Sequence, residues 1–136
     1  MKKTAPENIL LVDDQQAFLA TLAEGLTAGG NSFSVLTAEN GNRALQILAS
    51  APVDVVVTDL KMPVMNGFEL LLQMKEKYPH IPAVVMTSFL DSWVEAQLRA
   101  LGVSQFIDKE ALSNSVLGEM IIKSWLARRR KGSKGE

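Results

Sequence analysis

The sequence predicts an α/β protein in which five parallel strands form one sheet between two layers of helices. Three observations support this fold class. Short apolar runs rich in β-branched residues alternate with amphipathic stretches of helical length along the 136 residues. The runs lack the polar alternation of half-exposed strands, which suits strands covered on both faces. The chain length is that of one domain with a single hydrophobic core.

The strands are predicted from short apolar runs in which branched side chains dominate. Loop signals such as Ala51-Pro52, Asn66-Gly67 and Leu101-Gly102 separate these runs from their neighbours. The predicted strands are Ile9–Val12, Phe33–Leu36, Val53–Thr58, Ala83–Met86 and Ser104–Ile107.

The helices are predicted from apolar residues at helical spacing. In the first of them, Phe18, Leu19, Leu22 and Leu26 form one apolar face. Five alternating strand–helix units of this kind predict parallel strands joined by helical crossovers. The predicted helices are Gln15–Ala28, Gly41–Ser50, Gly67–Lys77, Ser92–Leu101 and Leu112–Arg130.

Composition and charge narrow the classes of function. The chain is 47% apolar and 21% charged, which is ordinary for a soluble globular protein. Its formal net charge of −1 favours neither a nucleic-acid binder nor an acidic tail protein. The absence of cysteine excludes disulfides, thiolate metal sites and thiol chemistry. The apolar run after the opening MKKTAPEN is too short for a signal peptide or a membrane span, so we expect a cytoplasmic protein.

Polar side chains follow four of the five predicted strands. Asp13 and Asp14 follow the first strand, Asp59 the third and Thr87 the fourth, while Lys109 comes shortly after the fifth. Ligands of open parallel sheets bind at the carboxyl ends of the strands. Each of these residues alone is typical of a turn, a cap or a solvated surface. Their placement after four different strands favours one shared site.

Three carboxylates crowded into one pocket repel each other and therefore need a cation. Oxygen ligands without nearby histidine or cysteine favour a hard divalent ion such as Mg²⁺. Mg²⁺ and Lys109 together would offset the charges of Asp13, Asp14 and Asp59. A phosphoryl group on Asp59 could then bridge the metal, the ammonium and the Thr87 hydroxyl. The set of residues suits phosphoryl transfer to a carboxylate nucleophile.

Residues 7–127 resemble the receiver domains of bacterial response regulators. The resemblance rests on Val12-Asp13-Asp14, on Thr87-Ser88, on Lys109 and on the segment Asp59–Gly67 with the sequence DLKMPVMNG. It implies a flavodoxin-like fold, a three-layer (βα)5 sandwich with the strand order 2-1-3-4-5. Residues 128–136 would then form a basic polar tail or a truncated linker.

The resemblance implies a role for each acidic residue. Asp59 would accept a phosphoryl group from a phosphohistidine on a sensor histidine kinase or a phosphotransfer protein. Asp14 would ligate Mg²⁺ directly, and Asp13 would help to hold it through water. Asp59 and the backbone carbonyl of Lys61 would complete the protein's share of the metal shell.

The resemblance also implies how phosphorylation is read. Thr87 would hydrogen-bond the phosphoryl group and move toward it, and Lys109 would pair with a phosphoryl oxygen. Phe106 occupies the position of an aromatic ring that changes place on activation. We expect the face built from helix 4, strand 5 and helix 5 to change and to control an unidentified downstream protein. Such a protein is a signalling switch rather than an enzyme, with at most slow self-dephosphorylation.

Two positions depart from the family pattern. Glu110 follows Lys109 where the family usually has a proline preceded by a cis peptide bond. A cis bond without proline costs roughly 2.5–4 kcal/mol, so we expect either a trans bond with a reshaped loop or a strained cis bond. Phe106 lacks the hydroxyl of the commoner tyrosine, which excludes a switching hydrogen bond from that ring.

Lys61 and Phe89 lie two positions beyond Asp59 and Thr87 and are expected to flank the mouth of the site. Our hypothesis is that the Phe89 ring hinders attacking water and so prolongs the phosphorylated state. The dephosphorylation rate of a variant without this ring would test it.

The last predicted helix carries a wider apolar stripe than packing on one sheet face requires. Either an extra turn packs in the core, or part of the stripe joins helix 4 near Trp93 in a homodimer or partner surface. The basic run Arg128–Lys131 is interpreted as the solvated end of a helix whose dipole favours cations, not as a nucleic-acid contact. The stripe comprises Leu112, Val116, Leu117, Met120, Ile121, Ile122, Trp125 and Leu126.

Two other classes of function were weighed. A phosphatase with an aspartyl-phosphate intermediate generally has a second acid two residues after its nucleophile, and Lys61 at that position argues against this class. A docking module that works without phosphorylation stays open because of Glu110 and Phe106. Labelling with acetyl phosphate distinguishes such a module from a phosphorylated switch.

Overall fold

The computed structural model describes residues 3–134, with side chains up to Arg130. Five parallel strands form one sheet in the order β2-β1-β3-β4-β5, which confirms the predicted fold class and strand order. The strands are β1 (Asn8–Val12), β2 (Ser34–Ala38), β3 (Val55–Thr58), β4 (Ala83–Thr87) and β5 (Gln105–Asp108). The helices are α1 (Gln16–Ala28), α2 (Gly41–Ser50), α3 (Gly67–Lys77), α4 (Ser92–Ala100) and α5 (Asn114–Lys134).

Apolar side chains cover the central strands on both faces of the sheet. On β3, Val55 and Val57 pack with α1 and α5, whereas Val56 packs with α2 and α3. This alternation follows from the two-residue period of a strand. All four residues of β3 and all five of β4 are buried, which explains why their sequences are nearly continuous apolar runs. In the central strands β3 and β4, positions for polar chemistry are therefore confined to the strand ends.

Side-chain caps define where α2, α3 and α4 begin. In each case an oxygen of the preceding residue accepts a backbone N–H from the first helical turn. At α3, the Glu69 carboxylate also accepts the backbone N–H of Asn66, which completes a capping box. This box fixes the point where the loop after β3 ends. The three caps are Asn40, Asn66 and Asp91.

Several predicted ends are displaced by one or two residues. Strand β2 runs to Ala38 rather than Leu36, because Thr37 and Ala38 pair with Leu11 and Val12 of β1. Strand β3 begins at Val55 rather than Val53. Helix α4 ends at Ala100, and β4 and β5 each extend one residue further than predicted.

The connection into the last helix differs from the predicted start at Leu112. Lys109–Ala111 form a 3₁₀ turn, and α5 begins at Asn114. The Ser113 hydroxyl oxygen accepts the Val116 N–H at 3.2 Å and caps the helix. The Lys109–Glu110 peptide bond is trans, like every peptide bond in the described part of the chain. Of the two expectations for Glu110, the reshaped loop is the one observed.

Most of the wide apolar stripe on α5 packs in the core. Leu117 and Ile121 are fully buried and Trp125 is nearly so, whereas Val116 and Leu126 remain more than a third exposed. On α4, Trp93 is 65% exposed. Part of the stripe thus serves the fold, and a smaller apolar part faces outward.

The basic run at the end of α5 contacts the rest of the protein. The Arg128 guanidinium donates a hydrogen bond to the carbonyl of Pro79, and that of Arg129 to the carbonyl of Lys3. Arg129 also lies 4.4 Å from the centroid of the Trp125 ring. The helix continues to Lys134, beyond the predicted end at Arg130. Among the described helices, none has the length and apolar character needed to cross a membrane.

Candidate functional site

Asp59 directly follows β3 at the carboxyl end of the sheet and is almost fully buried. Its Oδ1 accepts the backbone N–H of Leu60 at 2.7 Å and that of Lys61 at 3.4 Å. Its Oδ2 accepts a hydrogen bond from the Lys109 ammonium at 2.9 Å. The carboxylate is therefore oriented by its own loop and by a cation that follows the edge strand β5.

The acidic pair after β1 lies beside Asp59 because β1 and β3 are paired, and the Asp59 N–H donates to the Val12 carbonyl. The Asp13 side chain is fully buried and its Oδ1 accepts the Gln15 N–H at 3.0 Å. Asp14 is exposed. One carboxylate oxygen from each of Asp13, Asp14 and Asp59 lies within 4.8 Å of the others.

Lys109 lies between two of these carboxylates. Its Nζ is 2.6 Å from Oδ2 of Asp13 and 2.9 Å from Oδ2 of Asp59. The contact with Asp13 is an ion pair without hydrogen-bond geometry, so that Oδ2 of Asp13 is buried with no hydrogen-bond partner. Only 11% of the lysine side chain is exposed.

Burial and charge act in opposite directions on these groups. Burial raises the pKa of Asp13 above its ordinary value, although the Lys109 ammonium and the Gln15 N–H oppose the shift. For Lys109, burial lowers the pKa, but its contacts with Asp13 and Asp59 outweigh burial and raise it. The lysine is therefore held as a cation while the carboxylates remain incompletely neutralised.

The acidic cluster fits a hard divalent cation. All the side-chain donors are carboxylate oxygens, which Mg²⁺ prefers. Buried Asp13 and Asp59 share the single Lys109 ammonium, which also favours a further positive charge, since a buried carboxylate without full compensation is costly. One lysine offsets only one of the three carboxylate charges. The role of the Lys61 backbone carbonyl as a metal ligand stays a prediction.

The Lys109 ammonium also contacts an aromatic face. Its Nζ lies 4.6 Å from the centroid of the Phe18 ring, on the first turn of α1. The backbone around the lysine is held by Asp108, whose Oδ1 accepts the Glu110 N–H at 2.9 Å. Neither Phe18 nor Asp108 was predicted as part of the site. An aromatic residue at helical spacing is typical of a core face, and no sequence pattern indicated the contact of Phe18 with the lysine.

Thr87 ends β4 and is fully buried. Its hydroxyl oxygen accepts the Phe89 N–H at 3.2 Å. A groove of ≈ 390 Å³ runs beside Thr87, and its lining includes Leu60, Lys61, Phe68, Phe89 and Val94. Phe89 is 59% exposed, and the Lys61 ammonium lies 4.7 Å from its ring centroid. Lys61 and Phe89 thus line a groove beside Thr87, and their effect on access to Asp59 stays a prediction.

Phe106 lies apart from the acidic cluster. Phe106 lies on the edge strand β5, where it pairs with Val85 of β4. Its side chain is half-buried and packs against the core cluster of α2 and α3. The Arg99 guanidinium of α4 lies 4.9 Å from the centroid of its ring. The structure therefore connects Phe106 to α4, while its predicted change of position stays a prediction.

The loop after Asp59 has one close backbone contact, at Gly67, and one residue in the left-handed region, Val64. A Cβ on Gly67 would lie 2.2 Å from the Asp59 carbonyl oxygen and 2.7 Å from Cα of Leu60, so only glycine fits there. Val64 adopts φ of 71°, a conformation that is strained for a β-branched residue. The loop is thus folded tightly back on the main chain of Asp59 and Leu60.

A sequence model of the family described as "Response regulator receiver domain" matches residues 9–121. The chain belongs to this family. Membership places it among the phosphorylation-dependent signalling domains of two-component systems. The receiver resemblance that the sequence suggested is therefore confirmed.

Individual relatives agree with this assignment. The chain is 33% identical over 115 residues to the transcriptional regulatory protein GlrR of Escherichia coli (strain K12), covering 82% of this chain and 26% of GlrR. It is 41% identical over 87 residues to the two-component response regulator ORR11 of Oryza sativa subsp. indica, covering 62% of this chain and 58% of ORR11. This receiver domain spans about a quarter of the length of GlrR.

Solved structures show the same receiver fold. The response regulator receiver domain protein of Clostridium thermocellum aligns with a TM-score of 0.81 at 26% identity, covering 90% of this chain and 97% of that one. The signal receiver domain of an HD domain-containing protein from Pseudomonas fluorescens Pf-5 aligns with a TM-score of 0.81 at 25% identity, covering 92% and 98%.

Proposed function

We propose that this receiver domain accepts a phosphoryl group on Asp59 from a phosphohistidine of a sensor histidine kinase or phosphotransfer protein. A carboxylate oxygen of Asp59 forms a bond to phosphorus as the P–N bond breaks. The imidazole nitrogen keeps the bonding electrons and takes up a proton. The observation that carries this proposal is the position of the Lys109 ammonium, 2.9 Å from Asp59 and 2.6 Å from Asp13.

A divalent cation completes the proposed site. Mg²⁺ would be held by Asp13, Asp14, Asp59 and the backbone carbonyl of Lys61, and it would neutralise charge on the transferring phosphoryl group. The cluster of carboxylate oxygens within 4.8 Å supports this assignment. Lys109 supplies the second positive charge, paired with a phosphoryl oxygen. Such a site promotes phosphoryl transfer by positioning the reacting groups and by neutralising their charge.

Thr87 and Phe106 are proposed to report the phosphoryl group to the surface. Thr87 ends β4, and its hydroxyl oxygen accepts the Phe89 N–H, so the hydroxyl hydrogen is available to donate to a phosphoryl oxygen. Phe106 lies on the adjacent strand, and its ring contacts Arg99 of α4. We propose that a shift at Thr87 is passed through the Phe106 ring on β5 to Arg99 on α4.

The output surface is proposed to lie on α4, β5 and α5. Trp93 on α4 and Val116 on α5 are exposed apolar side chains, and such side chains suit a protein contact. The partner is a downstream protein or a second copy of the chain. Direct nucleic-acid binding is not proposed, since Arg128 and Arg129 are engaged by carbonyls of the protein itself. We propose that residues 7–127 form the functional unit, that residues 128–136 form a tail or linker, and that the domain acts in the cytoplasm.

The domain is proposed to be a switch that at most slowly removes its own phosphoryl group. The alternative, a docking module that is never phosphorylated, is motivated by the trans bond and 3₁₀ turn around Glu110. The two proposals differ in whether Asp59 acquires a phosphoryl group at all.

Intact mass after incubation with acetyl phosphate and Mg²⁺ tests the proposal. The wild type is expected to gain one phosphoryl adduct that requires the metal and is absent from Asp59→Asn. Asp54→Asn is the matched control, because Asp54 precedes the same strand at its opposite end. A folded wild type without an adduct would favour the docking module.

A further inference from the structure

The main chain of Lys109 is held by a short turn after β5. Glu110 follows it through a trans peptide bond, and the loop closes as a 3₁₀ turn capped by Asp108. This turn holds the main chain of Lys109. It leaves the long side chain, with its several rotatable bonds, to be positioned by something else.

Three neighbouring groups surround the Lys109 ammonium and restrain its side chain. A lysine ammonium has three N–H donors, and two sides of the Lys109 ammonium are occupied by Oδ2 of Asp13 and Oδ2 of Asp59. A third side faces the Phe18 ring, with Nζ 4.6 Å from its centroid. This distance lies within the range of a cation–π contact, which strengthens when the cation is desolvated.

The start of α1 fixes the Phe18 ring near the site. The Asp13 carboxylate accepts the Gln15 N–H at 3.0 Å and so sets the turn that leads into the helix. Phe18 follows on the first turn, half-buried against the core cluster of α1 and α5. The ring is therefore anchored by the same segment that carries the acidic pair.

We propose that Phe18 is a positioning residue for Lys109. Its ring holds the ammonium from the α1 side and restrains the side chain between the two carboxylates. This inference rests on the proposed phosphorylation of Asp59, because Lys109 matters only if a phosphoryl group arrives there.

The restraint has a chemical consequence. During transfer, charge spreads over the phosphoryl oxygens, and a pre-positioned ammonium stabilises that charge without reorganisation. Without the ring, the lysine samples other rotamers and is less often aligned with the transferring group. The phosphorylation rate is therefore expected to fall, while the fold stays intact.

The test compares Phe18→Leu with Phe18→Tyr, using acetyl phosphate and Mg²⁺ and following the adduct by intact mass. Phe18→Leu keeps an apolar side chain but removes the aromatic face, and labelling is expected to slow about tenfold. Phe18→Tyr keeps the face and is expected to label within about twofold of wild type. The control is Phe33→Leu, which removes a buried ring from the same core cluster and is expected to label at the wild-type rate.

The outcomes separate this inference from the proposed function. A wild type that gains no adduct, or an Asp59→Asn variant that still gains one, overturns both. A wild type that labels on Asp59 together with Phe18→Leu at an equal rate overturns the role of Phe18 alone. Equal slowing of the Leu and Tyr variants, or of Phe33→Leu, also overturns it, because the loss would then come from packing rather than from the aromatic face.

Discussion

The Lys61 ammonium lies over the Phe89 ring, 4.7 Å from its centroid, at the mouth of the groove beside Thr87. Each residue stands two positions beyond a residue of the proposed site, Asp59 and Thr87 respectively. The two loops that leave β3 and β4 are thus bridged by a cation–π contact. We expect this pair to hinder water that approaches Asp59 through the groove.

Removing the Phe89 ring is expected to shorten the life of the phosphorylated state. In Phe89→Ala the groove opens and attacking water is less hindered, so self-dephosphorylation should accelerate about fivefold, equivalent to about 1 kcal/mol of barrier. The measurement is the loss of phosphoryl adduct after removal of acetyl phosphate. Leu72→Ala, which shortens an exposed apolar side chain on α3, should decay like the wild type. An unchanged rate in Phe89→Ala would show that the ring does not control water.

Magnesium is expected to stabilise the folded protein through the acidic cluster. At a Mg²⁺ concentration ten times its Kd, binding adds about 1.4 kcal/mol to the free energy of unfolding. Asp14→Asn should lose most of this gain, because it removes one of the carboxylates proposed to bind the ion. Asp14 is exposed, so the substitution leaves the core intact. Thermal unfolding with and without Mg²⁺ measures the difference. Glu76→Gln, an exposed acid on α3, should respond like the wild type, and an equal response of Asp14→Asn would contradict the assigned site.

The Gly67 position is expected to tolerate no side chain. In Gly67→Ala the new Cβ meets the Asp59 carbonyl and Leu60, so the loop must shift at a cost of about 1–3 kcal/mol. Phosphorylation should slow as well, because Asp59 belongs to the displaced segment. Gly30→Ala is the matched control, since a Cβ there meets nothing within 4 Å and should be neutral. Denaturant unfolding and adduct formation measure the two effects. Equal stability of both alanine variants would refute the close approach.

Asp54 is expected to make folding pH-dependent at the opposite end of β3. Burial opposes ionisation of Asp54, but N–H groups of Asn8 and Glu7 and the Lys3 ammonium outweigh burial and lower its pKa from 3.8. A lowered folded pKa means that the stabilisation is present above the unfolded value and is lost as pH falls below it. At neutral pH, Asp54→Asn should cost about 1–2 kcal/mol.

The pH series itself provides the control for Asp54. The difference in unfolding free energy between wild type and Asp54→Asn should be constant at neutral pH and shrink as pH falls through the lowered pKa. Chemical denaturation at several pH values measures it. A difference that stays constant into acid would assign the effect to shape rather than charge.

The fold was predictable because burial imposes its pattern on the sequence. Strands β3 and β4 are covered on both faces, so their apolar runs are nearly continuous. The ends of the edge strand β2 were harder to predict. Thr37 and Ala38 extend β2 only because β1 is available to pair with them, a fact of tertiary structure that no local propensity carries.

The acidic cluster and its lysine were predictable because Asp13, Asp59 and Lys109 each follow a strand. The carboxyl ends of parallel strands meet at one edge of the sheet. Phe18 was not predictable, since its spacing fits a core face equally well. Val64 could not be foreseen in a left-handed conformation, because β-branched residues avoid it. Residues that act through position on a neighbouring element leave little trace in the sequence. They emerge only when the elements are assembled.

The ion pair between Asp59 and Lys109 joins side chains that are 50 positions apart. The lysine follows the edge strand β5, which is added outside β4. A chain in which this strand is not yet formed, or has detached, still carries the acidic pair and the acceptor but lacks their cation. We therefore expect the ability to carry a signal to arise only when the last strand is in place. Completion of folding and readiness for signalling would then be the same event.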